Sequence, residues 1–380
     1  MSKYKPEDSD DSLVEQSLGR SDCSIGEILH QRGVSRRDFL KFCSAVTAAM
    51  ALPASFAPRV AQALEEVKRP TLVWLEFQSC TGDSEALLRS ANPTVAEIIL
   101  DILSVDYHET IMAAAGHQAE EALDKTIAAF KGKYICVVEG SIPMKDDGVY
   151  GSTGGKSHLD RARQVCGGAQ ATIAVGTCAS YGGIAAAVPT PTGAVGVMQA
   201  VPGATVITLP GCPVNADNLT ATIVHYLVFG KIPALDGHGR PLFAYGKRIH
   251  DNCERRPHFD AGQYVEHWGD DGHRKGFCLY KMGCKGPATF HNCPTQRYNE
   301  KTSWPIGSGH PCAGCSEPNF WDTMSPMYKR LPHVPGFGIE ATADKIGVGL
   351  VAGAAAAFAV HGALNALRKD KEPSDETREG

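Results

Sequence analysis

Short apolar runs alternate with longer amphipathic stretches over the first part of the chain. β-prone runs of this kind lie at residues 71–77, 134–138, 171–175 and 205–209. Helix-like stretches at residues 85–103 and 109–130 separate the first two runs. Strands that alternate with helices are typical of a parallel sheet with crossover helices. The pattern therefore predicts an α/β domain over residues 64–230.

Cysteines follow three of these four runs, each where the run ends. They are Cys80, Cys178 and Cys212. Ligands of open α/β sheets bind beyond the carboxyl ends of the strands, so we expect these thiols to converge on one point. Cys136 lies within a run and Cys166 ends a helical stretch, and both are predicted to be structural.

Residues 231–330 have a different texture, rich in Pro, Gly, Asn and His and without clear periodicity. Six of the thirteen cysteines fall in this region, and a histidine opens their series. The series is His250, Cys253, Cys278, Cys284, Cys293, Cys312 and Cys315. Seven ligand-type side chains predict two metal centres, with four and three ligands. Bound metal would supply the stability that so irregular a segment lacks.

The beginning of the chain has the order of an export signal. Arg36 and Arg37 precede an apolar run at residues 42–57, which is followed by the small-residue motif Ala61-Gln62-Ala63. This order predicts a twin-arginine signal over residues 1–63, rather than a surface helix with a chance arginine pair. The twin-arginine route carries folded proteins, so metal bound before export would protect the cysteines that remain, whose odd number prevents complete disulfide pairing.

The far end of the chain is predicted to be a membrane anchor. Residues 346–367 carry no charge and are long enough to span a bilayer, although a buried Ala-rich core helix is an alternative. Basic residues open the following segment, 368–380, which is predicted to be a cytoplasmic tail, and residues 331–345 are predicted to be a linker. His361 lies within the apolar run, where it either bonds to a neighbouring helix or acts at a redox partner. The net charge of -5, without a basic stripe, argues against nucleic acid as a partner.

Seven motifs stand in a characteristic order along the chain: WLEFQSCTG at 74–82, GTCASYGG at 176–183, PGCP at 210–213, HDNCERRPHF at 250–259, GFCLY at 276–280, GCKGP at 283–287 and GHPCAGC at 309–315. Through these motifs the chain resembles, from about Trp74 to Trp321, the small, electron-transferring subunit of membrane-bound nickel–iron hydrogenases. The resemblance implies a flavodoxin-like domain with a proximal iron–sulfur cluster. It also implies a small, irregular domain with a medial and a distal cluster, while the nickel–iron centre belongs to a partner large subunit.

The resemblance assigns ligands to each cluster. It gives the distal 4Fe–4S cluster His250, Cys253, Cys278 and Cys284. It gives the medial 3Fe–4S cluster Cys293, Cys312 and Cys315. Pro305 stands where a fourth ligand would come, and proline cannot ligate iron. Imidazole in place of thiolate would raise the potential of the distal cluster.

The proximal 4Fe–4S cluster is where the chain departs from the family pattern. Cys80, Cys178 and Cys212 match the family's ligands, but the fourth position is Asp83, where most relatives have cysteine. We expect Asp83 to be a ligand, since carboxylate suits ferric iron. The alternatives are that it only caps the following helix, or that the cluster has three protein ligands. The extra cysteines of oxygen-tolerant relatives are absent, so a 4Fe–3S cluster is not expected.

The resemblance thus implies an oxidoreductase subunit without catalytic residues of its own. Dihydrogen would be oxidised in the large subunit, within a heterodimer or a dimer of heterodimers. Electrons would pass from the proximal to the medial to the distal cluster, and then to a membrane cytochrome b or a quinone-linked protein. The complex would face the periplasm on the inner membrane. The physiological direction, the acceptor and the response to oxygen stay open.

Two other functions compete with this one. A structural zinc protein would use Cys293 with Cys312 and Cys315, or His250 with Cys253 and Cys278. An iron–sulfur subunit of a quinone reductase of the complex I type would share the first domain. Such a subunit has adjacent cysteines after its first strand and lacks the second cluster domain, whereas this chain has only Cys80 there.

Overall fold

A parallel sheet of five strands forms the centre of the first domain. In this computed structural model, which describes residues 24–31, 33–90, 102–331 and 343–369, the strand order is β2-β1-β3-β7-β9. The strands are β1 (Thr71–Glu76), β2 (Ser104–His108), β3 (Ile135–Glu139), β7 (Ala171–Val175) and β9 (Val206–Leu209). All four neighbouring pairs are parallel. The predicted α/β class is therefore confirmed, and each of the four predicted runs is a strand.

Two small antiparallel pairs lie outside the main sheet. They are β4 (Ile142–Pro143) with β8 (Ala194–Val195), and β5 (Ser152–Thr153) with β6 (Lys156–Ser157). The strand β2 was not predicted. The helix expected at 109–130 begins only at His117, because Gly116 has a left-handed φ of 59° and ends the preceding turn. The helix expected at 85–103 is seen as Gly82–Leu88, and residues 91–101 lie outside the described ranges.

Helices cover both faces of the sheet and continue through the rest of the chain. Up to residue 230 they are α1 (Ile25–Gln31), α2 (Arg36–Ala49), α3 (Ala57–Glu66), α4 (Gly82–Leu88), α5 (His117–Ala129), α6 (His158–Gly168), α7 (Gly176–Tyr181), α8 (Val197–Ala200) and α9 (Ala216–Phe229). Beyond it they are α10 (Leu242–Tyr245), α11 (Arg256–Asp260), α12 (Asp271–Arg274), α13 (Cys293–Gln296), α14 (Phe320–Thr323) and α15 (Ala343–Lys369). Short 3-10 turns lie at Ala54–Phe56, Lys145–Gly148, Gly183–Ala186, Ile249–Asn252, Tyr280–Met282 and Gly286–Ala288.

Each face of the sheet has its own hydrophobic core. Leu72 and Trp74 of β1 point to the core shared with α9, while Val73 and Leu75 point to the core shared with α5 and α6. Strands that are buried on both faces are typical of parallel sheets covered by helices. Cys136 and Cys166 lie in the second core with their sulfurs 3.8 Å apart, in the structural positions predicted for them.

The helices α1, α2 and α3, called here the leader helices, extend the first core. Phe39, Val46 and Leu64 are buried there, and α2 and α3 pack against α9. Ser35 caps α2 by accepting a hydrogen bond from the backbone N–H of Asp38, which leaves Arg36 and Arg37 exposed at the start of the helix. In this structure the leader helices thus pack on the α/β domain. The export function of this segment stays a prediction.

We expect the replacement of Leu64 by alanine to loosen the leader helices. Leu64 is 0% exposed, and truncation of a buried leucine costs about 2–5 kcal/mol. Limited proteolysis within the leader helices should accelerate at least about tenfold, because cleavage follows the population of the open form. Leu40 of α2, which is 41% exposed, provides the matched control, and Leu40→Ala should leave the cleavage rate nearly unchanged. Equal rates for the two variants would contradict this packing.

The region from residue 231 to 330 contains short helices and loops around a small core. Ile249, Val265, Leu279, Trp304 and Ile306 form this core. Two cysteines, Cys293 and Cys312, belong to the same cluster of buried residues. The prediction that this region has little regular secondary structure is confirmed. Part of its interior is filled by cysteine sulfur rather than by hydrocarbon side chains.

The helix α15 has the length and composition to cross a membrane. Its segment Gly347–Ala366 has a mean hydropathy of 1.7, and none of it is buried against the protein. The helix begins at Ala343 and so takes in residues 343–345, which were predicted to be linker. The rest of the linker, except residue 331, and the tail beyond Lys369 lie outside the described residues.

Candidate metal centres

The sheet holds three cysteines at the carboxyl ends of its strands. Cys80 follows β1, Cys178 lies in α7 directly after β7, and Cys212 follows β9. Thr81 has a left-handed φ of 61°, which turns the chain sharply between Cys80 and α4. Gly176 lies where a Cβ atom would overlap the carboxylate of Asp83, so the loop after β7 needs glycine to approach Asp83. Cys80, Asp83, Cys178 and Cys212 are thus brought to one edge of the sheet.

The carboxylate of Asp83 faces the cysteines rather than its own helix. Its Oδ1 accepts a hydrogen bond of 2.6 Å from the backbone N–H of Val214, two residues beyond Cys212. Burial, and then the charge of Glu139, raise the pKa of Asp83 to about 7. An anion buried in this way needs a cation nearby. The arrangement argues against a simple capping role, because Asp83 does not bond to the start of α4.

Glu139, which the sequence analysis missed, caps that helix instead. It is fully buried at the end of β3 and accepts hydrogen bonds from the backbone N–H groups of Asp83 and Ser84, at 3.1 and 3.0 Å. The hydroxyl of Ser84 donates to the same carboxylate at 2.6 Å. With the start of α4 satisfied by Glu139, the side chain of Asp83 is available to a ligand.

Mutual electrostatic effects show how close these groups lie. Burial, and then the charge of Asp83, raise the pKa of the Cys178 thiol to about 11. Burial, followed by neighbouring Cys315 and Cys178, raises the pKa of Cys212 to about 12. Bare thiolates are therefore unfavourable here, and a cationic iron centre would offset this by drawing the protons off. The donor set thus fits an iron–sulfur cluster.

Cys293, Cys312 and Cys315 lie beside the first group. All three line one cavity of about 1180 Å³, together with Cys212 and Pro305. The hydroxyl of Thr177, next to Cys178, donates a short hydrogen bond to the backbone carbonyl of Cys315. The loops that carry Cys178 and Cys315 are therefore joined directly. Residues of the leader helix α2, among them Phe42 and Val46, form another part of the cavity wall.

His250, Cys253, Cys278 and Cys284 come together in a separate small cavity. Burial, and then the charge of Arg256, lower the pKa of His250 to about 4, so its imidazole is neutral, as a metal ligand must be. The ring packs edge-on against Phe259, with 4.6 Å between centroids. The four predicted distal ligands are thus grouped apart from the three medial ones.

The spacing of these side chains suits clusters better than single ions. Among the described residues, no three His, Cys, Asp or Glu side chains converge closely enough to hold one metal ion. A structural zinc site needs four ligands around a single ion at about 2.0–2.3 Å. A polynuclear cluster is wider, so its ligands stand further apart.

The sequence analysis also missed a buried arginine, which lies next to the loop that carries Cys312 and Cys315. Arg240 is 3% exposed and bonds to the carboxylates of Asp236 and Glu317, at 2.7 and 3.1 Å. It also donates to the backbone carbonyl of Ser316, the residue after Cys315. Its guanidinium lies over the ring of Tyr245 at 5.6 Å. This ion cluster fastens the loop that carries Cys312 and Cys315 to the segment at residues 236–245.

A second residue that the sequence analysis missed, His291, contacts the predicted ligand Cys293. Its Nδ1 lies 3.0 Å from the sulfur of Cys293, and its ring packs edge-on against Tyr245. Burial, and then the charge of Arg240, lower the pKa of His291 to about 3, so the ring is neutral. The other nitrogen, Nε2, is buried and has no hydrogen-bond partner among the described residues. A buried polar atom without a partner costs about 1–3 kcal/mol.

Two family models match separate stretches of the chain. Residues 245–328 match the family model for the C-terminal part of NiFe/NiFeSe hydrogenase small subunits. Residues 80–226 match the model for the NADH ubiquinone oxidoreductase 20 kDa subunit. The first stretch is thus similar to the complex I type of subunit considered above, and the second to the hydrogenase family.

Relatives that span nearly the whole chain are similar to it. The uptake hydrogenase small subunit of Azotobacter vinelandii is 48% identical over 92% of this chain and 97% of its own. The quinone-reactive Ni/Fe-hydrogenase small chain of Wolinella succinogenes is 46% identical over 91% and 99%. A chain of the Ni-Fe-Se hydrogenase from Desulfomicrobium baculatum has a TM-score of 0.66 and 32% identity, covering 70% of this chain and 100% of its own.

Proposed function

Because the chain belongs to the small, electron-transfer subunits of the nickel–iron hydrogenases, we propose that it carries three iron–sulfur clusters between the site of dihydrogen oxidation and a membrane acceptor. The proximal 4Fe–4S cluster would be held by Cys80, Asp83, Cys178 and Cys212. The medial 3Fe–4S cluster would be held by Cys293, Cys312 and Cys315. The distal 4Fe–4S cluster would be held by His250, Cys253, Cys278 and Cys284. Such clusters, when bound, accept and release single electrons.

The observation that carries the proposal is the continuity of the three ligand groups. Cys212 of the proximal group and the three medial cysteines line one cavity. The neighbouring charge of Cys284, a distal ligand, contributes to the raised pKa of the medial Cys312 thiol, after burial. Each group therefore borders the next, as a chain of electron carriers requires. A zinc protein would not need this continuity.

Two features indicate the partners: the exposed residues near the strand end that carries Cys178, and the helix α15. Ile184 and Val188 are 59% and 80% exposed just beyond Cys178, and exposed apolar residues beside a site are typical of a protein contact. We propose that the large subunit, with the nickel–iron centre, covers them. The helix α15 would anchor the complex in the inner membrane, close to a cytochrome b or a quinone-linked protein. With residues 1–63 as twin-arginine signal, the complex would face the periplasm.

The direct test is spectroscopy of the purified complex of this chain with its large subunit. We expect iron and acid-labile sulfide for three clusters, and an electron paramagnetic resonance signal of an oxidised 3Fe–4S centre. Zinc in place of iron would instead support the structural zinc protein. A complex with a single cluster would support the complex I type of subunit.

The replacement of Asp83 by cysteine tests the proximal ligand. Thiolate donates more charge to iron than carboxylate does, so the midpoint potential of the proximal cluster should shift to more negative values. Redox titration of the complex, followed by electron paramagnetic resonance, measures the shift. Glu85→Cys, an exposed position on the same helix, is the matched control and should leave all three potentials unchanged. If Asp83→Cys also leaves them unchanged, Asp83 is not a ligand.

A further inference from the structure

The side chain of His291 is buried, and only one of its two ring nitrogens has a polar contact among the described residues. Its side chain approaches the sulfur of Cys293 at 3.0 Å, through Nδ1. The rest of the ring faces the aromatic ring of Tyr245, with 4.8 Å between centroids and an interplanar angle of 88°. Only 2% of the residue is exposed, so water does not compete for this contact.

The partnerless Nε2 atom makes this histidine unfavourable for stability alone. A leucine or phenylalanine would fill a dry site without leaving a polar atom unsatisfied. The favourable interaction that only the imidazole offers here is its contact with the sulfur of Cys293. A thiolate that binds iron has no proton to donate, so in the loaded protein Nδ1 must carry the proton and Sγ must accept it. This fixes the tautomer as Nδ1–H with a bare Nε2.

We propose that His291 tunes the medial cluster by donating an Nδ1–H···Sγ hydrogen bond to its ligand Cys293, an inference that depends on the proposed function. It is a positioning and tuning residue, not a ligand. Hydrogen bonds to the sulfurs of iron–sulfur clusters help to set their reduction potentials. The added electron increases the negative charge on the sulfurs, so the hydrogen bond is stronger in the reduced state. His291 therefore raises the potential of the medial centre and favours the arrival of an electron there.

The test is a redox titration of the medial centre in the whole complex, followed by electron paramagnetic resonance. His291→Leu removes the donor and the unsatisfied nitrogen together. At a fixed potential the ratio of oxidised to reduced centre should rise about tenfold, which for one electron is a negative shift of about 59 mV. His291→Gln keeps an N–H donor, so its midpoint potential should lie closer to that of the parent complex than the potential of His291→Leu does. His158→Leu, another buried histidine, whose Nε2 contacts Thr153 and no cysteine, should leave the potential unchanged.

A purely structural role would give a different result. The His291→Leu complex would then contain fewer clusters or unfold earlier, while the centres that remain titrate at the parent potential, and that result would overturn the inference. A second measurement needs no variant. In the parent complex labelled with ¹⁵N-histidine, pulsed electron paramagnetic resonance of the oxidised 3Fe–4S centre should show coupling to one imidazole nitrogen, and its absence would also overturn the inference. If the parent complex has no 3Fe–4S signal at all, the proposed function itself is wrong.

Discussion

Cys293→Ser should remove or rearrange the medial centre and interrupt electron transfer through the complex. Cys293 is one of only three thiols in its group, and Pro305 on the same cavity wall cannot replace it. Changes to outer-shell partners already cost about 10–100-fold in metal affinity or activity, and the loss of a ligand should cost at least as much. Transfer of electrons from dihydrogen to an added acceptor should fall accordingly, and the 3Fe–4S signal should disappear or change.

The control for this substitution is Cys166→Ser, which also replaces a buried thiol by a hydroxyl. Cys166 lies on the buried face of α6, with its sulfur 3.8 Å from that of Cys136, and is not among the proposed ligands. This variant should keep the 3Fe–4S signal, whatever it costs in stability. An unchanged signal in Cys293→Ser would remove Cys293 from the ligand set.

Arg240→Met should destabilise the protein by about 3–5 kcal/mol, the usual cost of removing one partner from a buried ion cluster. The substitution leaves the carboxylates of Asp236 and Glu317 without their cation, and their side chains are only 18% and 11% exposed. Methionine has a volume close to that of arginine, so little volume is lost. Thermal unfolding of the complex, followed by the loss of cluster absorbance, measures the effect. The midpoint should fall by several degrees.

Arg256→Met is the matched control for this prediction. Arg256 pairs with Asp260 at the same i,i+4 spacing as Arg240 with Asp236, and at nearly the same distance of 2.8 Å. Both members of the control pair are exposed to solvent, where such pairs contribute about 0–1 kcal/mol. Similar losses in the two variants would show that burial is not what makes the Arg240 cluster important.

The strand ends were predictable from the sequence because they depend on local pattern. β1, β3, β7 and β9 are short apolar runs, and the cysteines after three of them needed no knowledge of distant contacts. β2 was missed because it is an edge strand that contains Ser104, Asp106 and His108, so its apolar signal is weak. The grouping of the side chains in the 231–330 region was predictable for another reason, since ligand-type residues stood out among turn formers.

The supporting residues were not predictable, because their partners are far away in the sequence. Glu139 accepts a hydrogen bond from the backbone N–H of Asp83, which is 56 residues away in the sequence. Arg240 donates a hydrogen bond to Glu317, which is 77 residues away. No local pattern marks a carboxylate that caps a helix so far away. His291 is only two positions from Cys293, and its proximity was readable in principle. Its burial and the orientation of its ring were not, and these give the contact its meaning.

The attachment of the proposed proximal ligands to strands of one sheet has a consequence for the speed of electron transfer. Neighbouring strands of a sheet lie about 4.7–4.9 Å apart. The backbone hydrogen bonds from β1 through β3 and β7 to β9 therefore fix the distances between the strand ends that carry Cys80, Cys178 and Cys212. Strands buried in the core, as these are, are among the last parts of a protein to open. Ligands held by such a frame move little when the charge of their metal changes. A small reorganisation energy for the entry of each electron is therefore built into the hydrogen-bond ladder of the sheet.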